Sequence, residues 1–172
     1  MSNRPPTEWV AEVFARYEVS LVAYARGRLN GDVEEAKDVV QEAFVKLCQQ
    51  RWPDIEAHVT AWLYRTCRNR AIDISRREGR MSSVHTGGTD VSEIRDQAAR
   101  RPEDRASQDE QLLRMRNQMH QLPEQQQELL RLRLHDGLSY KQIAQVTGLT
   151  ASNVGYLLHQ AVTSLRLSML AD

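Results

Sequence analysis

The stretch from Ala57 to Arg80 constrains the fold more than any other, because it can form one long helix. It contains no proline, and no glycine before Gly79, so nothing interrupts a helix within it. Apolar residues recur at intervals of three and four, which is the spacing of one helix face. We therefore predict an amphipathic helix with an apolar face that enters a core. This predicted face consists of Val59, Leu63, Cys67, Ala71 and Ile74.

A second face of the same predicted helix combines an aromatic residue with arginines and an amide. It carries Trp62, Arg65, Asn69, Asp73 and Arg76 at the same spacing. Aromatic rings stack on nucleobases and guanidinium groups pair with phosphates, so this face suits nucleic acid. A half-buried tryptophan on an ordinary solvated surface explains the same pattern. Periodicity alone leaves both interpretations open.

Composition indicates a soluble globular protein, with 41% hydrophobic and 27% charged residues. The formal net charge is zero, from 23 basic and 23 acidic residues, which argues against binding nucleic acid through bulk charge. The charge is unevenly placed, however. Residues 65–80 hold six arginines against two acidic residues, whereas residues 81–110 hold four arginines against seven acidic residues. A basic helix end is thus followed by an acidic connector.

The cysteine and histidine residues show no metal-binding pattern. Cys48 and Cys67 lack the spacing of metal ligands, and the five histidines are scattered. We expect two buried free thiols in a reducing compartment. The N-terminal sequence has no apolar signal-peptide core, and no stretch approaches the roughly 20 apolar residues of a membrane span. We therefore expect a cytoplasmic protein without a metal, a cofactor or a membrane-inserted segment.

Turn and cap residues divide the N-terminal part of the chain into three predicted helices. The first begins near Thr7 and ends between about Gly27 and Gly31. Asp32 is the predicted N-cap of the second helix, which continues to the break at Pro53. Residues 51–56 are then a predicted polar loop before the long helix. Three helices of this length are sufficient for a small bundle with one core.

Residues 81–107 have the composition of a flexible linker, with adjacent glycines, several serines and threonines, and few large apolar residues. They separate a predicted N-terminal domain at 7–80 from a predicted C-terminal domain at 108–172. Neither domain shows sustained period-two alternation, which would indicate strands. The predicted fold class is therefore all-α, with two small helical domains joined by the linker.

The C-terminal domain shows the spacing of a helix-turn-helix. Ala144, Gly148 and Val154 provide a small residue where two helices cross, a glycine in the turn and a branched apolar residue that holds the second helix. Ser139 and Thr150 are the predicted N-caps of the two helices. A plain helical hairpin would show much of the same pattern. The second helix would direct outward four residues that can read base edges or hold phosphates, namely Ser152, Asn153, Tyr156 and Gln160.

Three stretches together resemble the extracytoplasmic-function (ECF) group of bacterial RNA polymerase sigma factors, within the sigma-70 superfamily. They are DVVQEAFVKL at 38–47, AWLYRTCRNRAIDISRR at 61–77 and LPEQQQELLRLRLHDGLSYKQIAQVTGLTASNV at 122–154. In order, they are similar to the group's polymerase-binding helix, its promoter-melting helix and its upstream-element domain. The resemblance implies a transcription-initiation factor, not an enzyme, that recruits core RNA polymerase, recognises two promoter elements and melts the downstream one. It also implies an anti-sigma factor as a further partner.

The resemblance implies roles for individual residues. Polymerase binding would use Asp38, Gln41, Glu42 and Lys46. Residues 51–58, here called the downstream segment, would capture a base flipped out of the non-template strand. Downstream-element binding and melting would use Arg51, Trp52, Asp54, His58, Trp62, Tyr64, Arg65, Asn69, Arg76, Arg77 and Arg80. Upstream-element binding would use Tyr140, Lys141, Ser152, Asn153, Tyr156 and Gln160.

The chain departs from the group at two places. No lysine or arginine occurs between Lys141 and Arg166, whereas the group usually has basic residues along its recognition helix. Phosphate contacts supply most of the salt-dependent affinity for DNA. The C-terminal domain is therefore expected to bind weakly, to depend more on the tethered polymerase, or to read an unusual element. The downstream segment, RWPDIEAH, lacks the usual glycine and serine, so the group's base preference does not carry over.

Two other classes of function remain compatible with this sequence. A stand-alone helix-turn-helix transcriptional regulator would bind DNA without polymerase, but the zero net charge and the poorly basic recognition helix count against tight independent binding. An adaptor that has lost DNA binding fits the missing arginines, but it does not fit the sequence from Trp62 to Arg77. An enzyme is disfavoured, because the sequence shows no paired carboxylates, activated nucleophile, phosphate-binding glycine loop or metal cluster.

Overall fold

A computed structural model describes residues 4–81, 115 and 117–171 of the 172-residue chain. The helices whose bounds lie within the described ranges are α1 (Thr7–Arg26), α2 (Val33–Cys48), α3 (Trp52–Ile55), α4 (Val59–Met81), α5 (Glu124–Leu130), α6 (Tyr140–Thr147) and α7 (Ala151–Ala171), and residues 117–121 are also helical. A 3₁₀ turn at Glu56–His58 joins α3 to α4, and a π-helical turn at Arg131–His135 follows α5. The described ranges contain helices and turns without a strand, which confirms the all-α prediction.

The chain divides into two compact units. The N-terminal unit includes α1 to α4, and the C-terminal unit includes most of the residues from 115 onward. The predicted linker at 81–107, apart from Met81, lies outside the described residues, as does the predicted start of the second domain at 108. None of the helices in the described ranges combines the length and the hydrophobicity that crossing a membrane requires.

An apolar core holds α1, α2 and α4 together. Two edge-to-face aromatic pairs contribute to it, with ring centroids 4.9 Å apart for Phe14 and Phe44 and 5.2 Å apart for Tyr24 and Tyr64. Cys67 is buried in this core, and burial raises the pKa of its thiol to about 12. Cys48 was predicted to be buried but is exposed, because it ends α2 on the outer side of the bundle.

The predicted apolar face of α4 is confirmed. Leu63, Cys67 and Ala71 are buried, while Val59 and Ile74 at the two ends of the face are half-buried. The core of the N-terminal unit also includes Val13, Leu21, Ala25, Val39, Val40, Ala43, Leu47 and Ile55. The spacing of apolar residues therefore identified the side of α4 that packs against α1 and α2.

The sequence placed the ends of α2 and α4 incorrectly at the downstream segment. The second helix ends at Cys48 and not at about Trp52, just before Pro53, and α4 begins at Val59 instead of Ala57. Residues 51–56, predicted to be a loop, are largely helical, because α3 occupies Trp52–Ile55. Pro53 lies in the first turn of α3, where its missing N–H group removes no intrahelical hydrogen bond. Pro53 therefore lies near the start of a short helix and does not end α2.

The caps predicted from local sequence are present. The Asp32 carboxylate accepts a hydrogen bond from the Glu35 backbone N–H at 2.9 Å and so caps α2. Ser139 and Gln142 form a reciprocal capping box at the start of α6, in which each side chain bonds the backbone N–H of the other at 3.2 and 2.9 Å. Thr150 Oγ1 accepts from the Asn153 N–H at 3.2 Å at the start of α7.

The helix-turn-helix geometry is formed by α6 and α7. Gly148, which lies between the two helices, has a φ of 78°, a left-handed value that glycine adopts without strain. Val154 is fully buried, as the spacing predicts, and so is Ile143, whereas Leu157 is half-buried. Pro123 occupies the N-cap position of α5.

Candidate polymerase and nucleic-acid surfaces

The predicted polymerase-binding residues lie along α2, but they are not equivalent. Asp38 and Gln41 are exposed, three residues apart on one helix face. Glu42 is half-buried and is paired on both carboxylate oxygens, with Lys46 Nζ at 2.8 Å and with Arg70 Nε at 2.7 Å. The hydrogen bond from Lys46, together with Arg70, lowers the pKa of Glu42. Glu42 therefore links α2 to α4, a role that the sequence did not reveal.

A groove of about 290 Å³ opens between α2 and α4 beside this ion-paired carboxylate. Trp62 and Asn69, which were predicted to meet DNA, both line it. The α2 side contributes Lys46 and Gln50. We call this cavity the α2–α4 groove, and its lining residues are Lys46, Gln50, Trp62, Thr66, Asn69, Arg70 and Asp73.

The chemistry of the α2–α4 groove suits a flat polar ligand better than an isolated phosphate. Glu42 partly neutralises the two cations, Lys46 and Arg70, and Asp73 adds an acceptor to the lining. The amide groups of the groove can donate and accept hydrogen bonds, and the indole ring offers a stacking surface. The sequence analysis did not identify Thr66 and Arg70 as site residues. They follow Trp62 at successive intervals of four residues, so helical spacing places all three on one face of α4. No spacing within α4 could have identified Gln50.

The downstream segment exposes most of its side chains. Arg51, Asp54 and His58 are exposed, and Arg51 Nη1 lies 3.6 Å from Asp54 Oδ2. Trp52, in contrast, is half-buried, and its ring packs edge-on against Trp9 with centroids 4.4 Å apart and an interplanar angle of 86°. Part of the Trp52 ring is therefore engaged inside the unit.

Tyr64 was predicted to meet the opening DNA, and the structure contradicts this position. Its side chain is 1% exposed and packs against Tyr24 in the core. Tyr64 follows Trp62 by two residues, which is about 200° around a helix, so the two rings point to different sides of α4. Arg65, Arg76 and Arg77 are exposed on α4. The side chain of Arg80 lies outside the described part of the structure.

In the C-terminal unit, the predicted upstream-element residues share the exposed surface of α6 and α7. Gln160 is half-buried and donates a hydrogen bond from Nε2 to the Tyr156 hydroxyl at 2.8 Å, so it orients that ring. The other five residues, Tyr140, Lys141, Ser152, Asn153 and Tyr156, are exposed. Four of the six lie on α7, the second helix of the helix-turn-helix.

An additional cation lies beside this surface. The Arg133 guanidinium is 5.3 Å from the centre of the Tyr140 ring, and Nη1 donates to the Leu138 carbonyl at 2.9 Å. On α7, a Cβ added to Gly155 would lie 3.4 Å from Tyr140 Cε2, so the glycine leaves space for the ring. The sequence did not predict Arg133 at this site, because Arg133 lies in the π-helical turn, where 3.6-residue periodicity does not apply.

Comparisons with known proteins match both units. The family "Sigma-70 region 2" matches residues 13–81, and "Sigma-70, region 4" matches residues 112–165. The ECF RNA polymerase sigma factor SigL of Mycobacterium tuberculosis is 33% identical over 144 residues, which cover 83% of this chain and 78% of that protein. The RNA polymerase sigma factor YlaC of Bacillus subtilis is 26% identical over 173 residues, covering 93% and 91%.

A solved structure shares the fold. The structure of CnrH in complex with the cytosolic domain of CnrY matches with a TM-score of 0.61 at 23% identity, and the match covers 97% of this chain and 91% of that chain. The two matched regions of the sigma-70 family bind core RNA polymerase and promoter DNA. Region 2 matches the earlier part of the chain and region 4 the later part. The chain belongs to the ECF RNA polymerase sigma factors of the sigma-70 family.

Proposed function

We propose that the N-terminal unit docks on core RNA polymerase through α2 and holds the opened non-template strand in the α2–α4 groove and on the downstream segment. The chain is a sigma factor for transcription initiation. Sigma factors are not enzymes in general, and in this proposal the chain contributes no catalytic residue. The α2–α4 groove is the observation that carries the proposal. It unites residues of the predicted polymerase helix with residues of the predicted melting helix.

The groove can offset the cost of extracting a base from the duplex. Flipping a base out costs a few kcal/mol. Stacking on an aromatic side chain returns about 1–3 kcal/mol per base, and Trp62 is the aromatic residue of the groove. Asn69 and Gln50 can bond the polar edge of such a base, while the exposed arginines of α4 hold the neighbouring phosphates.

The double variant Trp62→Ala with Asn69→Ala tests this proposal. We expect promoter opening by the reconstituted polymerase to fall by roughly tenfold or more, because stacking worth about 1–3 kcal/mol is lost. The measurement is 2-aminopurine fluorescence at the melted positions of a promoter first located by transcription of genomic DNA. The fold should persist, since Trp62 is half-buried and Asn69 is exposed.

The control for this variant is Glu18→Ala with Val19→Ala, which removes two exposed side chains of α1. It should open the promoter at the wild-type rate. Unchanged opening in the Trp62 and Asn69 variant would contradict the proposal. Loss of its folded state in circular dichroism would also contradict it, because the second face of α4 would then be part of the core.

We also propose that α6 and α7 bind the upstream promoter element. Asn153 and Tyr156 are exposed on α7 and would meet base edges, while Lys141 at the start of α6 would meet a phosphate. Arg133 supplies a further positive charge from outside the recognition helix. Because α7 itself has no lysine or arginine before Arg166, much of the affinity would come from attachment to polymerase, which raises the effective concentration of this unit at its site.

The variant Asn153→Ala with Tyr156→Ala tests the recognition helix. We expect the preference of the polymerase complex for an intact over a scrambled upstream element to fall at least about tenfold, since two base contacts, each worth about 1–3 kcal/mol, are lost. Competition binding at fixed salt measures this ratio. Val162→Ala, at a partly exposed position further along α7, is the control and should keep the ratio. A double variant that still selects its promoters would show that α7 does not read the element.

We further propose a regulatory protein partner of the anti-sigma type and a cytoplasmic place of action beside the polymerase. The solved structure with the shared fold is a complex of CnrH with the cytosolic domain of CnrY, and this supports a protein partner here. A stand-alone regulator is not favoured, because region 2 of the sigma-70 family matches nearly the whole of the N-terminal unit.

A further inference from the structure

The first helix contacts the DNA-facing part of the N-terminal unit at two points. Near its start, Trp9 packs edge-on against Trp52 of the downstream segment, with ring centroids 4.4 Å apart. Two to three turns later, the Tyr17 hydroxyl lies 2.7 Å from Thr60 Oγ1, in the first turn of α4. Both contacts join α1 to the short stretch that connects α2 with the body of α4.

The downstream segment has few other attachments to the unit. Of its eight residues, all of which the structure describes, Ile55 is buried and Trp52 is half-buried, and the other six are exposed. The helix within it, α3, has four residues, too few to be stable through its own hydrogen bonds. Its position therefore depends on the packing of Ile55 and Trp52.

We propose that Trp9 is a positioning residue for downstream-element recognition. By holding the Trp52 ring, it fixes α3 so that the exposed side chains of Arg51, Asp54 and His58 face the non-template strand. The inference rests on the proposed function of the downstream segment. It adds a residue that no sequence motif indicated, on a helix that the sequence assigned only to the core.

A second aromatic pair on α1 provides a matched comparison. Phe14 packs edge-to-face on Phe44 of α2, with centroids 4.9 Å apart. Both α1 rings are half-buried and each makes one such pair, but only the Trp9 pair involves the downstream segment. Removing either ring weakens the packing of α1, so a difference between the two variants reports on positioning.

The test compares Trp9→Ala, Trp9→Phe and Phe14→Ala in the full chain. Hydrogen exchange of the amides at 51–58 measures how firmly the downstream segment is held. The affinity of the reconstituted polymerase complex for a fluorescent single strand, taken from the non-template strand of a promoter it transcribes, measures the consequence. Trp9→Ala should speed hydrogen exchange in the downstream segment. It should also weaken binding of the single strand by about two- to tenfold, because that is the change in affinity that the loss of one aromatic pair produces.

Two comparisons determine the result. Trp9→Phe should keep most of the slow exchange and most of the DNA affinity, because a phenyl ring can still pack edge-on. Phe14→Ala should leave exchange in the downstream segment and affinity for the single strand near their wild-type values. Equal changes in Trp9→Ala and Phe14→Ala would mean that Trp9 contributes only general stability, and our inference would be wrong while the proposed function stands. Faster exchange in Trp9→Ala with unchanged DNA affinity would show that the segment does not hold DNA, so both proposals would fail at this segment.

Discussion

Replacing Tyr64 with alanine is expected to destabilise the N-terminal unit by about 3–5 kcal/mol, the cost of removing a large aromatic ring from a packed core. The ring is 1% exposed and packs on Tyr24, so its loss leaves a cavity between α1 and α4. Because small domains are stable by only about 5–15 kcal/mol, this change removes a large share of the total. Urea denaturation followed by circular dichroism measures it.

The neighbouring residue provides the control for this prediction. Arg65 is exposed, so Arg65→Ala should change the free energy of unfolding by less than about 0.5 kcal/mol. If Tyr64→Ala unfolds like wild type but fails to open promoters, Tyr64 acts on DNA, as the family resemblance implied, and our prediction is wrong. The pair of variants therefore separates the core face of α4 from its exposed face within two consecutive residues.

The error at Tyr64 shows where sequence reasoning is reliable. Tyr64 precedes Cys67 by three residues, so helical spacing assigns it to the same face as the core residues Leu63 and Cys67. The resemblance instead assigned Tyr64 to the DNA surface together with its neighbours Trp62 and Arg65. In a helix, sequence neighbours point in different directions. Family roles transferred residue by residue therefore need to be checked against the helical period.

Local features of the fold could be predicted, and non-local ones could not. The caps at Asp32, Ser139 and Thr150 depend on residues three positions apart, and all three are present. The ion pair between Glu42 and Arg70 joins residues 28 positions apart, and the α2 wall of the groove depends on the same packing. Such contacts depend on how the helices pack together, and residue spacing within one helix does not predict that packing.

The ion pair also determines how the polymerase surface should be tested. Because Glu42 bonds both Lys46 and Arg70, changing it would alter the α2–α4 groove as well as any docking contact. Asp38 and Gln41 are exposed on the same helix, so they can be changed with less disturbance of the core. They therefore give a cleaner test of docking than any variant that includes Glu42.

The double variant Asp38→Arg with Gln41→Arg is expected to weaken binding to core RNA polymerase by at least roughly 100-fold. Reversing charge within an interface places like charges together, which costs several kcal/mol. The stability of the free chain should change little, since both side chains lie on the surface. Analytical gel filtration shows the loss of co-elution, and fluorescence anisotropy of the labelled chain gives the dissociation constant.

The matched control lies on α1. Glu12→Arg with Ala15→Arg makes the same change in charge, at the same three-residue spacing, on exposed positions. If docking uses α2, this control binds polymerase within about twofold of wild type, as expected for surface changes outside an interface. Equal losses in both variants would indicate that added positive charge, wherever it lies, repels the polymerase. Retained binding in the Asp38 and Gln41 variant would show that the docking surface lies elsewhere. The ion pairs of Glu42 would then serve only to hold α2 against α4.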